Sequence, residues 1–311
     1  MRLIFIKLLL GITALISTTT ALAQESIVVP FLEVEHSDNA FGRTTSNSVF
    51  QNGALVSTPQ SLRAVSDTKV TMGAIWLNAL DIDLGSVPLA VTPFVRRTNY
   101  QDNQEDVTSV GASFKFTLLE AEDDKLDFTL TPIRIDSSWT NNYVDSLNAS
   151  LRYKRNLSDR RQLKIGLSLN EMDSNVNNGE LSARGIKASY RQYLDVFKVI
   201  TRGNIKLRSA SYTGGDGTDL GIGLTVEKQM GIGDIFTSVD ATWVEDDTAR
   251  SGQPFAREVT KSSIEIGYAY PLDSRGLTRL VVYAKHENED SNLGLYESST
   301  NSIGLKYRTN F

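Results

Sequence analysis

Period-two alternation of apolar and polar residues in segment after segment, connections that are short and long in turn, and a leader for export together predict an all-β chain. The expected architecture is a transmembrane antiparallel up-and-down β-barrel of about 14 strands, with a range of roughly 12–16. The leader comes first. The chain opens with Arg2 and Lys7, runs through the apolar stretch Leu8 to Ile16 and reaches Ala21-Leu22-Ala23, a small-x-small cleavage pattern. Residues 1–23 are therefore expected to be a cleaved signal peptide, and 24–311 the barrel. The apolar run is about ten residues, half of what a membrane-spanning helix needs. Cysteine is absent, which excludes an acylated lipoprotein N-terminus, a disulfide framework and thiolate chemistry.

The formal charge is −5. Removing Arg2 and Lys7 with the leader, which holds no acidic residue, gives −5 − 2 = −7. Such a balance argues against nucleic acid, whose phosphates need a positive footprint. Mean hydropathy is −0.21, a value a soluble domain would share. Barrel strands nevertheless average to neutral hydropathy, because lipid-facing and lumen-facing residues alternate along them.

The strands follow in order. Candidates at 27–36, 67–79, 86–98, 107–119 and 125–138 open the series. In the next two, Leu147, Ala149, Leu151 and Tyr153 oppose Asn148, Ser150, Arg152 and Lys154, and Leu163, Ile165, Leu167 and Leu169 oppose Lys164, Gly166, Ser168 and Asn170. Segments 180–193 and 197–212 precede Leu220, Ile222, Leu224 and Val226, then 234–245, Ile264 to Tyr270 and Leu280 to Ala284. Pro30, Pro88, Pro93 and Pro132 fall inside these strands, where each removes a ladder donor. In the fifth strand Arg134 shares parity with Phe128 and Leu130, which a bulge near Pro132 would repair. Short turns are expected at Asp81 to Gly85, Glu120 to Asp124, Leu157 to Arg160, Leu194 to Val196, Met230 to Gly233 and Pro271 to Gly276. Longer polar loops are expected at His36 to Ser66, Asn99 to Asp106, Met172 to Gly179, Thr213 to Thr218, Asp246 to Pro254 and Asn288 to Glu297.

The last segment, Asn301 to Phe311, puts Ile303, Leu305, Tyr307 and Phe311 on one parity, with Thr309 as the exception, and Ser302, Gly304, Lys306, Arg308 and Asn310 on the other. It resembles the closing strand by which Gram-negative outer-membrane β-barrel proteins are recognised for insertion. A soluble β-sandwich would share the alternation but not the aromatic terminus. The resemblance implies residence in the outer membrane and contact with its lipid, with lipopolysaccharide and with the barrel-assembly machinery. In strand count and in Tyr307-Arg308-Thr309-Asn310-Phe311 the chain is also similar to the barrel of surface lipoprotein assembly modifiers, without the helical-repeat domain that precedes it there.

With the apolar parity facing lipid, the lumen is lined by Lys115, Arg152, Lys154, Lys164, Lys187, Arg202, Lys206, Arg208, Arg279, Lys285, Lys306 and Arg308, opposed by Glu33, Glu35, Glu227, Asp240 and Glu265. Such a pore would concentrate anions; equally, the charges would pair across strands and only fill the barrel. Arg202, Lys206 and Arg208 on one strand are expected to form the centre of a positive wall. Catalysis is not expected. The two histidines, His36 and His286, sit where strands leave the outer rim and lack a His-x-Ser spacing. The acidic runs Glu245-Asp246-Asp247 and Glu287 to Asp290 read as solvated loops, and no metal or cofactor is expected. Three functions remain open: a porin-like channel for small, preferentially anionic solutes, a barrel that handles macromolecules, or a structural or adhesive barrel without an open pore.

Overall fold

A computed structural model describes residues 27–309 apart from 52–53, 78–79, 85–86, 103–105, 138–141, 176–178 and 274–277. The leader 1–23 and Phe311 lie outside the described residues. The barrel has 14 antiparallel strands in sequence order. These are β1 (Ile27–Ser37), β2 (Asp67–Leu77 with Leu80–Leu84), β3 (Val87–Tyr100), β4 (Val107–Glu120), β5 (Asp124–Ser137), β6 (Asn142–Ser158) and β7 (Arg161–Ser174). They continue as β8 (Gly179–Leu194), β9 (Phe197–Ala210), β10 (Gly217–Met230), β11 (Gly233–Asp246), β12 (Glu258–Pro271), β13 (Thr278–Ser291) and β14 (Ser298–Thr309). Closure comes from β1 pairing with β14, Leu32 opposite Tyr307 and Ser37 opposite Ser302. A closed ring leaves no unpaired sheet edge, which is what a strand structure needs in hydrocarbon.

Register carries the alternation round the ring. Leu151, Leu167, Ile186 and Ile205 stand side by side in β6–β9. Ile205 is followed by Leu220 and Trp243 in β10 and β11. Leu167, Ile186, Ile205, Leu220, Trp243, Ile264, Val282 and Ile303 are all exposed on the outer surface. In water, a continuous belt of this kind would be strongly unfavourable; in a bilayer it is the lipid-facing surface.

Two local expectations are corrected. The segment Leu80–Leu84 is strand, paired with Val87 to Val91, because Leu80, Ile82 and Leu84 continue the alternation past the turn expected at Asp81 to Gly85. There is no bulge at Pro132: β5 pairs with β6 without a shift from Asp124 to Ser137. The irregularity lies at Thr117 to Leu119 in β4. Arg134 thus keeps the outward parity, and near the loop end of β5 it binds Asp136 at 3.0 Å and lies over the Tyr143 ring.

Strands also run further than expected at the long-loop end. β3 reaches Tyr100, β7 reaches Ser174 and β13 reaches Ser291. Above the lipid belt the outward parity turns polar, as at Glu171 and Asp173, so the ladder continues where the apolar signal has stopped. Segment 38–66 carries a hairpin pairing Ser48–Gln51 with Ala54–Ser57. Its Thr45 N–H donates to Glu297 O at 3.0 Å, while Phe41 stacks on Tyr100 of β3 with ring centroids 4.7 Å apart. The loop is therefore tied to β3 on one side and to the start of β14 on the other.

A candidate functional site in the lumen

The register places the inward residues in rungs. Arg152, Gly166, Lys187 and Asn204 form one, across β6–β9. Lys125, Lys154, Lys164, Ser189 and Arg202 form the next, toward the short turns, across β5–β9. Lys115 stands opposite Ala90 and Thr129, Lys206 opposite Asp219, Arg208 opposite Gly217 and Lys306 opposite Glu33 and Val281. Every one of these shares the parity opposite to the exposed apolar belt. For Arg308 only the backbone position, opposite Arg279, is described.

The cations divide by partner. Arg202 binds Asp240 at 3.1 Å, and Lys206 and Arg208 bind Asp219 at 3.6 and 2.8 Å. Arg208 also binds the fully buried Asp246 at 2.8 Å. Lys306 binds Glu33 at 3.1 Å, Arg279 binds Asp234 at 2.8 Å and Lys285 binds Glu287 at 2.7 Å. The three residues of β9 expected to centre the positive wall are thus matched by carboxylates of β10 and β11. By contrast Lys115, Arg152, Lys154, Lys164 and Lys187 make no ion pair within 4 Å among the described residues, although Arg152 stands opposite Asp127 of β5. The inward faces of β6, β7 and β8 carry no carboxylate at all: between Val144 and Lys154, Gln162 and Met172, and Leu181 and Arg191 they hold cations, Ser, Asn, Gln, Gly and apolar residues.

Packing differs in the same sense. On the inner face of β12 and β13, Ala269 is 3 % exposed and Val281 and Tyr283 are 2 % exposed. The inward Arg202 and Asp240 side chains are each 44 % exposed, and Arg152 and Lys187 are exposed as well. Water therefore reaches the lumen beside β6–β11. A recess of about 590 Å³ there is bordered by Asn148, Arg152, Lys164, Gly166, Lys187 and Asn204. A Cβ added at Gly166 would meet only Leu151 O, at 3.7 Å.

Arg191 and Lys198 also face inward, opposite Gln162 and Glu227, and were not singled out from the sequence. Their parity with Lys187 and Arg202 was the available signal. Lys69, paired with Glu35 at 2.6 Å, carries the same signal, since it shares the inward parity of Thr71 in β2. Both histidines face outward at the loop rim. His36 Nδ1 is 3.0 Å from Thr68 Oγ1 and its Nε2 is 3.5 Å from Ser66 Oγ; His286 Nδ1 is 2.8 Å from Asn301 Oδ1. Neither imidazole touches a carboxylate among the described residues, so nothing there orients a base toward a nucleophile. Among those residues no group of three or more acidic or histidine side chains converges as metal ligands would.

A closed strand ring, an apolar outer belt and a polar, water-accessible interior decide the class. The fold is that of an outer-membrane β-barrel. Solved structures of similar fold include an outer-membrane channel from Pseudomonas putida F1, at 14 % identity and a TM-score of 0.47, covering 94 % of this chain and 98 % of that one. The loop L8 deletion mutant of OmpT from Vibrio cholerae shares 8 % identity with a TM-score of 0.47, over 91 % of this chain and 99 % of that one. OprD from Pseudomonas aeruginosa shares 8 % identity with a TM-score of 0.43, over 93 % and 96 %. Similarity this distant carries no function across. No protein-family model and no curated protein matches the chain.

Proposed function

We propose that the chain is a porin-like channel of the outer membrane, exported through its cleaved leader, which passes small solutes and favours anions. One observation carries this reading: the inward face of β6–β8 holds Arg152, Lys154, Lys164, Lys187 and Arg191 with no carboxylate, beside a part of the lumen that water reaches. Fixed unpaired charge in a low-dielectric conduit raises the local concentration of counter-ions. Ion pairs elsewhere in the lumen cancel and add little to the field.

The test is the reversal potential of the refolded protein in a planar bilayer under a salt gradient. Anion preference is expected at 0.1 M salt, where the Debye length is about 10 Å, and should fade at 1 M, where it is about 3 Å. Replacing Arg152, Lys154, Lys164 and Lys187 with Gln should remove most of the preference. Replacing Arg202 together with its partner Asp240 by Gln and Asn removes a neutral pair and should leave the preference nearly unchanged, whereas replacing Arg202, Lys206 and Arg208 alone would bare Asp240, Asp219 and Asp246 and lower it as well. Cation preference, or a closed membrane under all conditions, overturns the reading. Orientation is tested separately: with no native Cys, an impermeant maleimide on intact cells should label Ser251→Cys in a long loop and not Ser158→Cys at a short turn.

A further inference from the structure

Lys125, Lys154 and Lys164 stand directly opposite one another on three consecutive strands. Lys125 is held by Glu120 at 2.7 Å, whereas among the described residues neither Lys154 nor Lys164 has a carboxylate within 4 Å. Like charges directly opposite in a sheet oppose folding, and here the next rungs add to the repulsion. Arg152 and Lys187 flank Gly166 on the side of the long loops, and Arg191 stands opposite Gln162 on the side of the short turns. Gln162 Nε2 donates to Asn156 Oδ1 at 2.9 Å, yet Gln162 Oε1 and Arg191 Nε are buried without a hydrogen-bond partner among the described residues. An unspent guanidinium donor and two facing ammonium groups are complementary to one kind of ligand.

Neighbouring strands lie about 4.8 Å apart, so one ion can lie between the two lysines, but a monovalent ion compensates only one of the two charges. An anion with several charged oxygens within that span meets both. Lysines are point charges that donate in any direction, which suits the radiating oxygens of a phosphoryl group, whereas the planar fork of a carboxylate is best matched by arginine. Gly166 leaves the space above the pair open. We propose that Lys154 and Lys164, with Arg152, Lys187 and Arg191 around them, form a saturable station for a compact phosphoryl anion carrying two or more charges. This deepens the channel reading by naming the solute class, and it rests on an open lumen.

The probe is pyrophosphate, titrated by calorimetry into the barrel refolded in lipid-free detergent at low salt, a measurement that needs no ion current. Saturable binding is expected, with sulfate weaker and chloride at equal ionic strength much weaker. The double variant Lys154→Gln, Lys164→Gln should weaken binding at least tenfold, and Lys164→Gln alone, for use should the double variant not fold, several-fold. Lys261→Gln, whose lysine binds Glu289 at 2.5 Å, should leave binding unchanged. The station is overturned by a linear, unsaturable response, by displacement with chloride as effective as with sulfate, or by equal weakening in Lys261→Gln. Lipopolysaccharide that displaces pyrophosphate would assign the phosphoryl group to lipid and overturn the free-solute assignment. Binding without current in a bilayer would keep the station and remove the channel; current without binding would do the reverse.

Discussion

The wall built by β6–β8 and the wall built by β12–β14 with β1 obey the same alternation, yet they handle inward polar residues in opposite ways. Around the seam of β1 and β14, the described inward charges Glu33, Glu35 and Lys306 are each spent. Glu33 binds Lys306, Glu35 binds Lys69 at 2.6 Å, the Tyr283 hydroxyl reaches both carboxylates, and Lys306 lies 3.9 Å from the centre of the Tyr283 ring. Tyr283 occupies the space over Gly304 in the neighbouring strand, a way of covering a strand glycine with an aromatic ring. On β6–β8, Gly166 is left uncovered and the charges beside it unpaired. One wall is built for closure and the other is open to a ligand. Inward parity alone therefore says little about function; what separates the walls is whether an inward charge has a partner.

The largest effect should come from exchanging the glycines' surroundings. A side chain at Gly304 overlaps the Tyr283 ring, so Gly304→Val should prevent closure between β13, β14 and β1. On a detergent gel the unboiled sample should then lose its folded band. Gly166→Val, with open space above it, should keep that band and its heat-modifiability. Equal behaviour of the two variants would erase the distinction between the walls. Filling the open wall comes next: Gly166→Trp should fold normally and lower single-channel conductance several-fold, and unchanged conductance would put the conduction path elsewhere.

A third change sets stability against selectivity. Lys164→Glu turns the facing pair Lys154 and Lys164 into an attractive one. Cross-strand charge pairs are worth roughly 0.2–1 kcal/mol, so a small rise in the unfolding temperature of the barrel is expected, together with weaker anion preference. A fall in stability would mean that the lysines are not repelling each other in the folded barrel.

How much of this was legible beforehand follows from what alternation can encode. Leu163 to Leu169 and Leu220 to Val226 announced their strands and faces, since one parity is purely apolar. The inward cations were legible for the same reason, by elimination. Their partners were not. The pairing of Arg208 with Asp219 and Asp246 depends on register between strands, which no single strand's pattern specifies. Thus β9 looked like the centre of the positive wall, and the unpaired charge lies on β6–β8. Strand ends were read short at Ser174 and Ser291 because the alternation loses contrast above the lipid belt. Arg134 suggested a bulge that the register does not contain, because an outward arginine is tolerated near the rim, where Asp136 and the Tyr143 ring receive it.

The smallest expected effect concerns the loop that leans on the closed seam. Asp38 leaves β1 and accepts hydrogen bonds from the backbone N–H and the side-chain Nδ2 of Asn301 in β14, both at 2.7 Å. Partial desolvation raises the carboxyl's pKa, but the bonds from Asn301 and its own N–H, with the nearby His286, outweigh this and hold it below the usual aspartate range. A depressed folded pKa means that the contact contributes fully above the ordinary aspartate value of about 3.9 and is lost as pH falls through the lower folded value. Acidification below about pH 4 should therefore loosen the attachment of segment 38–66 while the barrel stays closed. An acid-active protease should cut its Ser/Thr-rich stretch faster there than at pH 5, relative to an unstructured reference peptide. Asp38→Ala should show the faster cutting at both pH values and lose the pH dependence. Cutting of the parent protein that follows the reference peptide at both pH values would show that this contact does not hold the loop.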